Sequence, residues 1–235
     1  MDFLMDPALW VAVGQIIMID ILLGGDNAVV IALACRKLPP AQRTQGIIWG
    51  TVGAIVLRVI LIFFALTLLK VPFLKLVGAI LLVWIGIKLL APGDEDEHGN
   101  IDGSDRLWGA IRTVIIADLV MSIDNVIAIA GAAESAGGDH KMPLVVFGLL
   151  VSIPIIVWGS QFVIKLMDRF PIVITIGGML LGWIAGTMAV TDPAVVPHIG
   201  EVTPMMNKIA GVAGALLVLT IGLVMKRRAS AAPAA

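Results

Sequence analysis

Two short acidic motifs sit inside apolar runs: Asp20-Ile21-Leu22-Leu23-Gly24-Gly25-Asp26-Asn27 and Asp118-Leu119-Val120-Met121-Ser122-Ile123-Asp124-Asn125. A carboxylate at the centre of a membrane helix costs roughly 2.5–3.5 kcal/mol on insertion scales. Asp20, Asp26, Asp118 and Asp124 therefore need compensation from protons, a basic side chain, water or a metal ion. The plainer alternative is that they are protonated, or act as hydrogen-bonded glue between helices; their symmetric recurrence weighs against it. With Asn27 and Asn125, the motifs supply six oxygen-bearing side chains, enough to ligate one divalent cation with octahedral preference. All-oxygen ligation suits Mg2+, Ca2+ or Mn2+ rather than Zn2+ or Cu+. No His lies in an apolar run, and the single cysteine, Cys35, falls at the end of one. Met18 and Met121 flank the motifs. A thioether there would favour Mn2+ over harder ions, but simple packing is by several times the better account of these methionines.

The spacing raises a geometric demand. Six positions separate Asp20 from Asp26, about 240° around an ideal helix, so a straight helix does not aim both at one point. Gly24-Gly25 lies between them and suggests a break, which would free backbone carbonyls beside the acids and complete a cation site. The second motif has Ser122-Ile123 at that place and a weaker signal for a break. Arg58 is the one basic residue at mid-span, and its counterpart in the second half is apolar, Ile156. It is suited to neutralise an aspartate in the absence of metal, or equally to form a structural ion pair.

The elements that must position these residues are membrane helices. The chain is 59% hydrophobic and only 14% charged, with mean hydropathy +1.03. That is too little polar surface for a water-facing exterior. Apolar runs predict seven spans, near Ala8–Cys35, Gly46–Leu69, Phe73–Leu90, Leu107–Ala133, Pro143–Ile164, Pro171–Val190 and Ile209–Met225. The two motifs align with an offset of 98, and Pro72, Gly78 and Trp84 align with Pro171, Gly177 and Trp183 with an offset of 99. The fold class is thus an all-α membrane protein: two inverted three-helix repeats plus a C-terminal helix, a plan of secondary transporters with the site where the halves meet. The expected divisions are a first repeat over 1–91, an acidic cytoplasmic linker over 92–106, a second repeat over 107–192, a C-terminal transmembrane helix over 193–228 and a disordered tail over 229–235.

Of the 16 Lys and Arg residues, eleven fall on one side, among them Arg36, Lys37, Arg43 and Arg169, and four on the other. The positive-inside rule then puts the N-terminus outside and the C-terminus in the cytoplasm. No basic start marks a cleavable signal peptide. The linker from Asp94 to Asp105 partly matches a calcium loop, but reads mainly as a solvated acidic segment. No phosphate loop, zinc signature or nucleophile elbow is present, and the net charge of −1 gives no nucleic-acid footprint.

On Gly24-Gly25-Asp26-Asn27-Ala28-Val29 and the run from Asp118 to Ala128, the chain resembles the TerC family of bacterial membrane proteins, in its short, single-domain YjbE-type subgroup. The resemblance covers nearly the whole chain. It implies export of Mn2+ across the bacterial cytoplasmic membrane, with the intramembrane acids as ligands, the ion as cargo rather than cofactor, and no enzymatic activity. It leaves open a homo-oligomer, or a secretion-machinery partner that receives metal for exported proteins. Proton exchange on the aspartates is a natural drive, since four acids hold more charge than one divalent ion neutralises. Rival readings are a Ca2+ or Mg2+ transporter, a non-transporting factor that loads metal into secreted proteins, and an intramembrane aspartyl protease. The protease motif requires a Gly-x-Gly turn that Leu23-Gly24-Gly25-Asp26 lacks.

Overall fold

The computed structural model describes residues 7–68, 71–91, 103–135 and 141–231; within these, the side chains of most of 7–24, and of 65–68, 103, 124–135, 141–145 and 228–231, lie outside the described set. Seven long helices and one short one are described: α1 (Pro7–Cys35), α2 (Pro40–Leu68), α3 (Leu74–Leu90), α4 (Gly103–Ser135), α5 (Lys141–Arg169), α6 (Ile172–Val190), α7 (Val196–Ile199) and α8 (Pro204–Ala231). Each long helix overlaps one expected span. In hydrocarbon every backbone polar group must find a partner within its own segment, so apolar runs of this length become helices. Four contain described stretches long and apolar enough to cross a bilayer: Pro40–Phe64, Val146–Arg169, Ile172–Val190 and Pro204–Arg227. The outer surface carries large apolar side chains, including Phe63, Ile80, Trp158 and Ile209. This is an all-α membrane protein.

Side-chain contacts fix how the helices run. Arg36, just past α1, donates to Leu89 O near the end of α3, and Lys37 donates to Ala91 O. Arg43, in the first turn of α2, pairs with Asp168 at the end of α5 at 3.0 Å. Gly46 of α2 sits against Leu107, near the start of α4. Arg36, Lys37 and Lys226 line a cavity of about 310 Å3 together with Pro171 at the start of α6. Hence α1, α3, α5 and α8 end where α2, α4 and α6 begin, and the basic residues gather at that end. The triplet α4–α6 therefore crosses in the opposite sense to α1–α3. The triplets also interlock, since α1 packs chiefly on α5, α2 on α4 and α3 on α6.

The C-terminal helix is fastened by small residues. A Cβ on Gly182 of α6 would meet the Gly214 carbonyl of α8, and one on Gly186 would meet that of Ala210. Only glycine lets the two backbones approach this closely, the usual device for packing helices where lipid gives no hydrophobic drive.

Two expected boundaries shift. α4 begins at Gly103, so the last residues of the 92–106 linker are helical, with Asp105 in the first turn, where the helix dipole favours an acid. At the other end, α8 runs to Ala231, three residues into the expected tail. The rest of the acidic segment lies outside the described residues.

Candidate functional site

α1 and α4 carry the two acidic motifs, and they pack on each other and on α5 and α2. Both are continuous. The break expected at Gly24-Gly25 does not occur: α1 runs unbroken from Pro7 to Cys35. The physical reason is the cost of freeing backbone groups where no water can receive them. Gly25 faces open space, so the helix has no steric need of it. The freed carbonyls thus drop out of the expected donor set.

Side chains are described for three of the six expected ligands. Asp118, on α4, is 5% exposed and sits in a closed polar triangle. Arg58 of α2 donates from its terminal nitrogen to Asp118 Oδ1 and from Nε to Ser122 Oγ at 3.0 Å. Ser122 Oγ in turn donates to Asp118 Oδ2 at 3.0 Å. One helical turn separates Asp118 from Ser122, which puts both on the face that α2 covers. The fork of the guanidinium spans the two, a task for which lysine has the wrong shape. Arg58 itself is 2% exposed. Such a buried pair is tolerable because each charge has its counter-charge and further hydrogen bonds.

Asp26, half-buried on α1, accepts the backbone N–H of Asn27 at 2.9 Å and lies within Coulombic range of both Arg58 and Asp118. The helices that carry the two motifs, α1 and α4, pack on each other. Asn27 is 3% exposed, yet neither its Nδ2 nor its Oδ1 has a hydrogen-bond partner among the described residues. Buried amides are almost always satisfied, and each exception calls for an explanation. Asp20 lies on α1, and Asp124 and Asn125 on α4, with side chains outside the described residues. Among the described residues, no three His, Cys, Asp or Glu side chains converge as a metal would require. Met121 packs in the buried core, whereas Met18 is 62% exposed on the outer surface.

Two residues were missed as polar contributors. Ser122 stood out only as a replacement for a glycine, although its i+4 spacing from Asp118 is a legible signal. Asp192, just past α6, has a fully buried side chain that accepts N–H groups from Phe73 at 2.9 Å, Leu76 at 3.0 Å and Ala194 at 2.7 Å. Burial pushes its carboxyl up, but the backbone N–H groups of Ala194, Leu76, Phe73 and Lys75 prevail and hold it below the usual carboxylate value. It caps α3 where Phe73 adopts a left-handed φ of 65°.

These features define a multi-pass helical membrane protein with a charged centre buried between interlocked halves. The chain belongs to the integral membrane protein TerC family, whose family model matches residues 5–230. It is 46% identical over 177 residues to the uncharacterized membrane protein YjbE of Bacillus subtilis, covering 75% of this chain and 78% of that one. It is 28% identical to the uncharacterized membrane protein YceF of the same organism, over 80% of this chain and 74% of that one. The inner membrane protein YoaE of Escherichia coli is 25% identical over 75% of this chain, which spans only 36% of that longer protein. No solved structure matches.

Proposed function

We propose that this protein is a secondary transporter that exports a divalent cation, Mn2+, from the cytoplasm, with Asp20, Asp26, Asn27, Asp118, Asp124 and Asn125 as its ligands. The observation that carries the reading is Asn27: a buried amide with both polar atoms unpartnered among the described residues, next to Asp26, itself within Coulombic range of the buried Asp118. A hard cation taking carboxylate and amide oxygens gives that amide its missing partner. Family membership and the opposite sense of the two triplets support a transporter plan with a central site. In this reading the basic end faces the cytoplasm, so the N-terminus lies outside. The halves rock about the site, and proton exchange on the surplus acids supplies the drive.

The test is to express the protein in a manganese-sensitive bacterium and measure cell-associated Mn, Mg, Ca, Zn and Fe, with Asp26→Asn at equal membrane abundance as control. Selective lowering of Mn by wild type alone supports the reading. Lowering of Ca or Mg instead changes the ion, and no change in any metal overturns transport. Transport that ignores the pH gradient removes proton coupling.

A further inference from the structure

Asp118 presents a difficulty for any cation site that includes it. One carboxylate oxygen accepts from the Arg58 guanidinium and the other from the Ser122 hydroxyl, and the guanidinium sets a positive charge against any cation that would share this carboxylate. Arg58 reaches Asp118 from α2, the helix that packs most heavily on α4. Arg58 is even more buried than the carboxylate it holds, 2% exposed against 5%. Asp26 feels the same guanidinium from α1.

We propose that Arg58 is a tethered counter-ion that occupies Asp118 while the site is empty, and that cation binding requires Asp118 to pass from Arg58 to the metal. This rests on the transport reading and deepens it by assigning the state that the closed triangle represents. The charges support the exchange. A divalent cation brings two positive charges to Asp118 where Arg58 brought one, and Asp26, within Coulombic range of Arg58, remains for the guanidinium to share. A monovalent ion would do less to compensate the loss of the Arg58 contact, so the built-in cation also discriminates in favour of divalent charge. Serine at position 122 matters because it holds the guanidinium through Nε and Asp118 through Oδ2 at once.

Mn2+ binding and thermal unfolding of the full chain in lipid nanodiscs test this, with wild type beside Arg58→Gln, Arg58→Lys and Ser122→Ala. Arg58→Gln is expected to bind Mn2+ on the order of tenfold more tightly, since the competitor is gone. Without metal it should melt roughly 10 °C lower, because Asp118 is left uncompensated, and Mn2+ should recover most of that loss. Ser122→Ala should tighten binding in the same direction but less, and Arg58→Lys should stay nearer wild type. Equal Mn2+ affinity in wild type and Arg58→Gln overturns the proposal and leaves the pair a permanent brace. Should Arg58→Gln fail to fold, unchanged affinity in Ser122→Ala overturns it alone. If neither wild type nor any variant binds a divalent cation, the transport reading itself falls, and this proposal with it.

Discussion

Asp192 Oδ1 accepts the backbone N–H of Phe73 at 2.9 Å, joining the end of α6 to the start of α3 across 119 residues of chain. Phe73 has a left-handed backbone, which costs a non-glycine residue roughly 1–2 kcal/mol. The carboxylate secures that turn and supplies the cap that α3 lacks from its own side chains. The contact lies at the end of the protein opposite the basic cluster, and binds one helix of each triplet to the other. Asp192→Ala is therefore expected to lower stability by about 2 kcal/mol, the range of a lost cap plus hydrogen bonds to a charged acceptor. Thermal unfolding in detergent reads it; a melting point unchanged from wild type removes the role.

The same carboxylate sets a pH dependence. Its folded value is depressed, so its contribution is fully present above the ordinary aspartate value of about 3.9. It is lost as pH falls through the folded value, because the unfolded chain then binds more protons than the native one. Wild type should hold its melting point from neutral pH to about pH 5 and lose stability below about pH 4. Asp192→Asn should start lower and show less of that acid-driven fall. Parallel curves for the two proteins would show that other carboxylates govern the acid limb.

Much of this architecture is legible in the sequence, for a physical reason. A bilayer forces apolar runs into helices, so the run Phe73–Leu90 becomes α3 over Leu74–Leu90 and Pro171–Val190 becomes α6 over Ile172–Val190. Helix ends in water are less constrained: α5 runs Lys141–Arg169, where hydropathy alone marks Pro143–Ile164, because polar residues continue a helix past the lipid. The acids and Arg58 could be singled out because charge in hydrocarbon demands a partner. Which partner could not be read, since Arg58 and Asp118 are 60 residues apart and meet only through the packing of α2 on α4. Asp192 was invisible as a cap, because an aspartate before a proline reads as an ordinary turn. The break at Gly24-Gly25 fails because glycine permits a break without requiring one.

The glycines make opposite predictions at two places. Gly182→Val puts side-chain carbon into the Gly214 carbonyl and must part α6 from α8, with a loss of at least 1–3 kcal/mol. Gly25→Ala meets open space on a continuous helix, so it should be neutral or stabilising by up to about 1 kcal/mol. Metal export should survive Gly25→Ala. Loss of export in a folded, membrane-inserted Gly25→Ala protein would mean that α1 opens during the cycle after all.

Asn27 separates a structural role from a functional one. A buried amide that makes its hydrogen bonds is destabilising to remove, because its partners are stranded. Among the described residues Asn27 has no such partners to strand: its side-chain nitrogen and oxygen are both unsatisfied and 3% of the residue is exposed. Replacing it by leucine exchanges a desolvated amide for an apolar group of similar size, so folding stability should hold or rise by about 1 kcal/mol. Cation binding should move the other way. Loss of one oxygen ligand should weaken Mn2+ affinity by at least tenfold, or about 1.4 kcal/mol, while Asn27→Asp, which keeps an oxygen at that place, should bind. Calorimetric titration beside thermal unfolding distinguishes the cases. Lower stability with unchanged affinity would make Asn27 a packing residue with an unseen partner, and would take away the observation on which the transport reading chiefly stands.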